Sequence, residues 1–286
     1  MIKNRQSERN NNSHPRPTPS NTRPERRTHS SNARVEQVRR THELIFEDLN
    51  TLATPGKATS ASTTAVLNAM NKLRTQVREI SRELESARSH RTESFVNSGI
   101  AASDGIVKGL DKASRIAAHG GVQASWEAKE LYAREVGFRL ESLLKDARVV
   151  AALARIPSHE EVLLLEGTIR TWQYDIEKDL GTDLSRLPYS EVAVKSSGMA
   201  FYTGGIEDFI IIVSVAANIA TLAQILYEHF RKEKNPEAVI RVRTKGRSTD
   251  IQISSASLEQ IREVLELCVE RRKGRRASHR VRANED

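Results

Sequence analysis

The longest uncharged run in the chain, from Phe209 to Tyr227, limits the fold more than any other feature. Its 19 residues would form an α-helix about 28 Å long, close to the roughly 30 Å hydrocarbon core of a bilayer. We therefore predict one long apolar helix within residues 206–232, which is either the buried helix of a soluble domain or a membrane span. Its apolar positions are Phe209, Ile210, Ile211, Ile212, Val213, Val215, Ile219, Leu222, Ile225 and Leu226.

The polar residues in and around this run favour the soluble helix. Asp208 before it and Arg231 after it fit the positive-inside rule, but they also fit the dipole of any helix, so they do not discriminate. Ser214, Asn218 and Thr221 form a narrow polar stripe that would need partner helices in lipid. A membrane span, or a helix that inserts only in an activated state, stays open as an alternative.

The most regular pattern in the chain is a heptad repeat near residues 66–84, with apolar spacings of 4, 3, 4, 3 and 4. It predicts the apolar seam of a coiled coil or of a helical hairpin. A bundle within one chain and self-association between chains would both cover this seam. Its members are Val66, Met70, Leu73, Val77, Ile80 and Leu84.

Helical periodicity extends over residues 32–181 and predicts a helical bundle with a coiled-coil character. Ser31 or Asn32 caps the first helix, and a long helix follows from Gln123 to Ile156. Ser158 begins a capping box, which predicts a last helix that ends near Gly181.

A different pattern begins after Tyr189, where hairpin, helix, hairpin and helix signals alternate. We predict a small α+β domain of the ββα-ββα type over residues 189–270, so the fold class is mostly α: an N-terminal bundle followed by this domain. The predicted strands are Glu191–Lys195, Met199–Thr203, Ala238–Thr244 and Thr249–Ser254, and Ser257 caps a final helix from Leu258 to Val269.

Positive charge is concentrated in the two tails. Residues 1–40 hold ten Lys and Arg against three acids, residues 271–286 hold seven against two, and the rest of the chain holds 28 against 32. Residues 1–31 and 271–286 are therefore predicted to be disordered basic tails, which can contact nucleic acid or anionic lipid without sequence preference. The predicted anion contacts are Arg271, Arg272, Lys273, Arg275 and Arg276.

No residue pattern in the sequence is typical of catalysis, cofactor binding or a metal site. The single cysteine, Cys268, lies at helical spacing with apolar residues, and the eight histidines form no HxxxH pair. The acidic residues Asp175, Glu177 and Asp179 are spaced by two, which places neighbours on different faces of a helix. We therefore expect a protein without enzymatic activity and without a cofactor.

The segment "TGGIEDFIIIVSVAANIATLAQILYEHFRKEKNPEAVIRVRTKGRSTDIQISSASLEQIREVLELC", about residues 203–268, resembles the bacterial effector-associated constant component family. The shared pattern is a glycine pair, an apolar segment, a basic break, a hairpin and a capped helix. The resemblance implies an accessory role beside effectors in conflict or immunity gene clusters, and it carries over no catalytic residue.

These features together predict a cytoplasmic interaction or scaffold protein that forms a homo-oligomer or binds a protein partner through its helical bundle. Two alternatives stay open. One is a membrane-associated effector that uses residues 209–227, and the other is non-specific nucleic-acid binding through the tails.

Overall fold

The residues that the structure describes form a helical bundle and a β-sheet layer. The structure is a computed structural model, and it describes residues 23–171, 176–196, 205–215, 218–232, 239–244, 247–252 and 256–269. Within these residues, four long helices precede the first strand, and the five strands form one antiparallel sheet. The predicted fold class, mostly α with a small α+β part, is confirmed.

Four long helices form the bundle, and the last one packs against both the first and the third, which closes it. This last helix is continuous from residue 121 to 155 and contains one π-helical turn. The elements are α1 (Arg23–Leu52), α2 (Ser60–Ser86), α3 (Glu93–Ala118), α4 (Gly121–Tyr132), the π turn (Ala133–Gly137) and α5 (Phe138–Arg155).

Local sequence signals explain the turns between these helices. Thr59 and Ser62 form a capping box at the start of α2: the Ser62 N–H donates to Thr59 Oγ1 at 3.1 Å and the Thr59 N–H to Ser62 Oγ at 3.0 Å. Gly120 and Gly121 connect α3 to α4 with φ values of 71° and 85°, which favour glycine.

The heptad seam of α2 belongs to the core of this bundle. All six of its side chains, from Val66 to Leu84, are at most 3% exposed and pack with residues of the other bundle helices. The prediction of a self-association seam is therefore wrong, and the intramolecular alternative is confirmed, because four helices in one chain already cover the seam.

Five strands follow, and the first in sequence lies at the centre of the sheet, which has the order β2-β3-β1-β4-β5. Around it the chain repeats a hairpin and a helix twice, as the ββα-ββα prediction required. The elements are β1 (Val162–Thr171), α6 (Ile176–Leu184), β2 (Glu191–Ser196), β3 (Gly205–Ser214), α7 (Ile219–Lys232), β4 (Val239–Thr244), β5 (Arg247–Gln252) and α8 (258–269).

The single long helix predicted for residues 206–232 is wrong: this segment forms strand β3 and helix α7. Side chains of β3 are buried on both faces of the sheet, with Phe209 against α7 and Ile210 and Ile212 against α5, so residues 209–213 of the strand are all apolar. Helix α7 begins only after Asn218, whose Oδ1 accepts from the Ala220 N–H at 3.0 Å. Neither part has the 19-residue length that the membrane hypothesis needed.

The helix predicted from Ser158 to Gly181 is also replaced, by strand β1 and helix α6. Leu163, Leu165 and Ile169 alternate along β1 and are buried on the face that also holds Phe209. Leu165 stands opposite both Ile211 and Val242 in the neighbouring strands. The buried residues here follow the spacing of two that is typical of a strand, and the apparent capping box does not begin a helix.

Helix α5 is shared between the bundle and the sheet. One side of it contributes Leu140 and Leu143 to the bundle core, and the opposite side of its second half packs on β2 and β3. The boundary that we predicted near residue 181 therefore lies earlier, because the sheet layer begins with β1. The side chains in this contact are Val149, Ala152, Leu153 and Ile156 from α5 and Ala193, Ile210 and Ile212 from the sheet.

The structure describes only part of the predicted tails. Helix α1 begins at Arg23, earlier than the predicted cap at Ser31 or Asn32, so residues 23–31 are helical rather than disordered. Residues 1–22, the predicted strand Met199–Thr203 and the basic tail 271–286 lie outside the described residues.

Arg91 holds the loop that connects the bundle to the sheet. Arg91, in the turn between α2 and α3, donates to the carbonyls of Pro157, Ser158 and Glu160, with 3.1 Å from its Nη1 to the Pro157 oxygen. These three carbonyls belong to the loop that leads from α5 into the central strand. A guanidinium can satisfy several acceptors at once, which suits it to hold such a loop.

Replacing Arg91 by alanine should lower the free energy of unfolding by about 2 kcal/mol, because three loop carbonyls lose a charged donor. Cleavage of the 156–161 loop in limited proteolysis should also become faster. The matched control is Arg88→Ala on the same connection, where the arginine forms an exposed pair with Glu85 at 2.8 Å and should contribute little. Equal effects of the two substitutions in urea unfolding would contradict a stabilising role of Arg91 in this loop.

Candidate interaction surface on the helical bundle

Three exposed apolar side chains lie on two adjacent helices of the bundle. Phe46 on α1 is 36% exposed, and Val122 and Trp126 on the adjacent α4 are 37% and 47% exposed. Lys129 connects them, because its Nζ lies 5.7 Å from the centroid of the Phe46 ring. On α4, Val122, Trp126 and Lys129 are spaced by four and three residues and so share one side of the helix. We call these four residues the α1–α4 surface.

Exposed polar side chains flank this surface on both helices. On α1 they are Glu43, Glu47 and Asn50, and on α4 the exposed carboxylate of Glu130 follows Lys129. An apolar centre with a charged rim is the usual composition of a protein–protein contact. The other exposed apolar side chain of this part of α1, Leu44, lies about 200° around the helix from Phe46 and belongs to another face.

Next to this surface, the half-buried His42 and the buried Tyr132 join α1 to α4. His42 Nδ1 lies 2.8 Å from the Tyr132 hydroxyl oxygen, and the two rings stack with centroids 5.5 Å apart. Burial lowers the pKa of His42 to about 4 and raises the pKa of Tyr132 above its ordinary value. Both side chains are therefore neutral near pH 7, which makes a hydrogen bond between them compatible with the apolar core.

The π turn Ala133–Gly137 follows Tyr132 at once, and two features accommodate it. Arg139 Nη1 donates to the Glu135 carbonyl at 2.6 Å and to Glu135 Oε2 at 2.8 Å, which adds a donor inside the turn. Glycines of α3 leave room for the wider turn: a Cβ at Gly105 would lie 2.6 Å from Arg139 Cδ, and one at Gly109 would lie 3.0 Å from Val136 Cγ2. Single π turns often occur at functional positions of helices.

Towards the sheet, the same side of the bundle ends in a group of charged residues. Glu36 on α1 pairs with Arg148 on α5 at 2.8 Å and with Arg39 at 3.2 Å. Burial raises the pKa of the nearby Glu141 carboxyl and lowers the pKa of Arg148. Arg155 of α5 pairs with Glu191 at the start of β2. These ion pairs fix α5 to α1 and to the sheet, so they act as structural contacts.

The other sequence-predicted sites do not come together. The α2 seam is core, the residues predicted for the apolar helix divide between β3 and α7, and Arg271 to Arg276 lie outside the described residues. Within the described residues, no three His, Cys, Asp or Glu side chains come together as metal ligands. In the same part of the chain, no helix has both the length and the apolar character that a bilayer crossing requires.

Sequence reasoning placed Trp126 in a long helix but did not single it out as exposed. A signal for this exists in the spacing of the buried residues Ala128, Tyr132, Val136 and Leu140, which are four apart three times in succession. Over these 12 residues a regular α-helix rotates by about 120° away from one face, so the pattern indicates one extra residue in the helix.

Comparisons of the chain with protein-family models, curated proteins and solved structures found no match. The accessory role that the resemblance of residues 203–268 implies, membrane association and nucleic-acid contact by the tails stay predictions.

Proposed function

We propose that this protein is a non-enzymatic interaction protein that binds a protein partner through the α1–α4 surface. The observation that carries the proposal is the exposure of Trp126, at 47%, on the same side of α4 as Val122 and as Lys129, whose Nζ lies over the Phe46 ring of α1. Tryptophan and other aromatic side chains dominate the binding energy of protein interfaces.

The support is energetic as well as geometric. The surface lies on helices whose inner faces are fully buried and whose contact is fixed by the His42–Tyr132 pair. A preformed surface loses little conformational entropy on binding, so more of the energy from burying Trp126 contributes to affinity. The exposed carboxylates around the apolar centre would form the polar rim of such an interface.

Site-specific crosslinking in cells of the source organism tests this proposal. A photoreactive amino acid at position 126 should form a covalent adduct with a protein, and the same amino acid at position 44, on the other side of α1, should not. Once the partner is identified, Trp126→Ala should weaken its binding at least about 30-fold, whereas Leu44→Ala should leave it unchanged. Equal yields at the two positions, or no adduct at position 126, would overturn the proposal.

A further inference from the structure

The helix from residue 121 to 155 contains two incompatible apolar patterns. Its second half buries Val136, Leu140, Leu143, Ala147 and Val150, which are spaced by 4, 3, 4 and 3. Continued towards the N-terminus, this spacing reaches a set of residues that does not face the core. That set is Ala133, Lys129, Trp126 and Val122.

The residues that are buried in the first half lie one position earlier in the sequence. Ser125, Ala128 and Tyr132 face the core, whereas Trp126, Lys129 and Ala133 do not. A shift of one residue corresponds to a rotation of about 100° around the helix. The π turn lies between the two halves and holds the one extra residue that produces this rotation.

We propose that the π turn is a one-residue register switch, which decides whether Val122 and Trp126 face solvent or the core of the bundle. With the π turn, Tyr132 is inside and the α1–α4 surface exists. With a continuous α-helix of the same length, the 4-3 spacing brings Val122 and Trp126 inside and turns Tyr132 outwards. This inference rests on the proposed function, since it assigns the regulation of that same surface.

Each register has interactions in its favour, so the helix is a two-state element. The outward register has the His42–Tyr132 hydrogen bond and the contact of Arg139 with the Glu135 carbonyl. The inward register would bury Val122 and Trp126 and would remove an irregular turn, but Lys129 belongs to the same set and would turn inwards with them, so its amine would have to reach solvent along the helix. A partner that binds only the exposed surface would favour the π turn by its differential affinity.

Deletion of one residue removes the need for the π turn without changing which residues of the first half face the core. Removing Arg134, an exposed residue of the turn, leaves Ser125, Ala128, Tyr132 and Val136 in one uninterrupted 4-3 pattern. The shortened helix can therefore be regular while Trp126 stays outside. In the full-length helix, Arg139→Ala removes the extra donor of the turn and should raise the inward population about tenfold.

The test uses the full chain with Trp172→Phe, which leaves Trp126 as its single tryptophan. Acrylamide quenching then reports the exposure of Trp126 directly. The parent and the Arg134 deletion should be equally quenchable, Arg139→Ala should add a protected population with blue-shifted emission, and the deletion combined with Arg139→Ala should behave like the parent. Circular dichroism confirms that all four variants are helical.

Two outcomes would overturn the switch. In one, Arg139→Ala leaves the quenching of Trp126 unchanged. In the other, the substitution has the same effect with and without the deletion, because its effect should depend on the π turn. Quenching needs no partner, so this failure is distinguishable from failure of the proposed function, which is the absence of a crosslink at position 126.

Discussion

Replacing Phe209 by alanine should lower the free energy of unfolding by about 4 kcal/mol, the largest effect that we expect from one substitution in the sheet layer. The Phe209 ring is 1% exposed and stacks on Phe230 of α7 with centroids 5.4 Å apart. It fills the space between β3, β1 and α7, and an alanine would leave a cavity there. Urea unfolding followed by circular dichroism measures the loss.

The reciprocal substitution is Gly167→Ala in the central strand. Gly167 stands opposite Phe209 in the register, and a Cβ on Gly167 would lie 2.2 Å from Phe209 Cζ. The ring would have to leave its position, so we expect a loss of about 2–3 kcal/mol. In the Phe209→Ala background the same substitution should cost less than about 1 kcal/mol, because the ring it collides with is gone.

Leu44→Ala provides the matched control, since Leu44 is 57% exposed and its removal should change stability little. Additive losses from Gly167→Ala and Phe209→Ala would show that the ring does not occupy the space above Gly167. That result would contradict the strand register and, with it, the assignment of residues 205–214 to a strand.

The bundle could be predicted from the sequence because each of its helices has a wide apolar face. In α1, the periodic residues Val35, Val38, Ile45, Leu49 and Leu52 are all nearly inaccessible to solvent. Local signals also sufficed for the second hairpin and for α8, where the Gln260 N–H donates to Ser257 Oγ at 3.2 Å as the predicted cap requires. In these elements the local preference and the final packing agree.

Strand β3 could not be identified by periodicity, because its environment differs from that of an ordinary antiparallel strand. β3 is buried on both faces, so it has no polar side to produce an alternating pattern. An apolar run of this kind followed by an amphipathic helix has the length of one long helix, so length alone does not separate the two elements. What divides them is the cover that α5 gives to Ile210 and Ile212, which is a tertiary contact.

The α1–α4 surface was missed for a related reason. Trp126 belongs to a helix whose two halves fit different registers. The sequence alone does not show which half keeps its own apolar residues in the core. In the structure both halves keep their own registers. The small residues Gly105 and Gly109 of α3 leave room for the π turn that this requires. Their effect depends on which helix lies next to α3, and helix pairing is fixed only in the folded bundle.

Acidification should destabilise the protein through His42, by up to about 3 kcal/mol between pH 6.5 and pH 4. Burial lowers the pKa of His42 from 6.5 to about 4 in the folded state. Well above pH 6.5 the ring is neutral in both states and makes no pH-dependent contribution. Between the two values the unfolded chain binds a proton that the folded bundle does not, so the free energy of unfolding falls as the pH falls.

Subtraction of a His42→Gln variant isolates this effect, because glutamine does not titrate and can still hydrogen-bond to Tyr132. The difference in unfolding free energy between wild type and variant should fall by about 3 kcal/mol from pH 7 to pH 4. Glu141 acts in the opposite direction, since burial raises its pKa, but it is present in both proteins and cancels. His90→Gln, at an exposed position, should reproduce the wild-type slope, and a pH-independent difference for His42→Gln would mean that the ring is accessible to water.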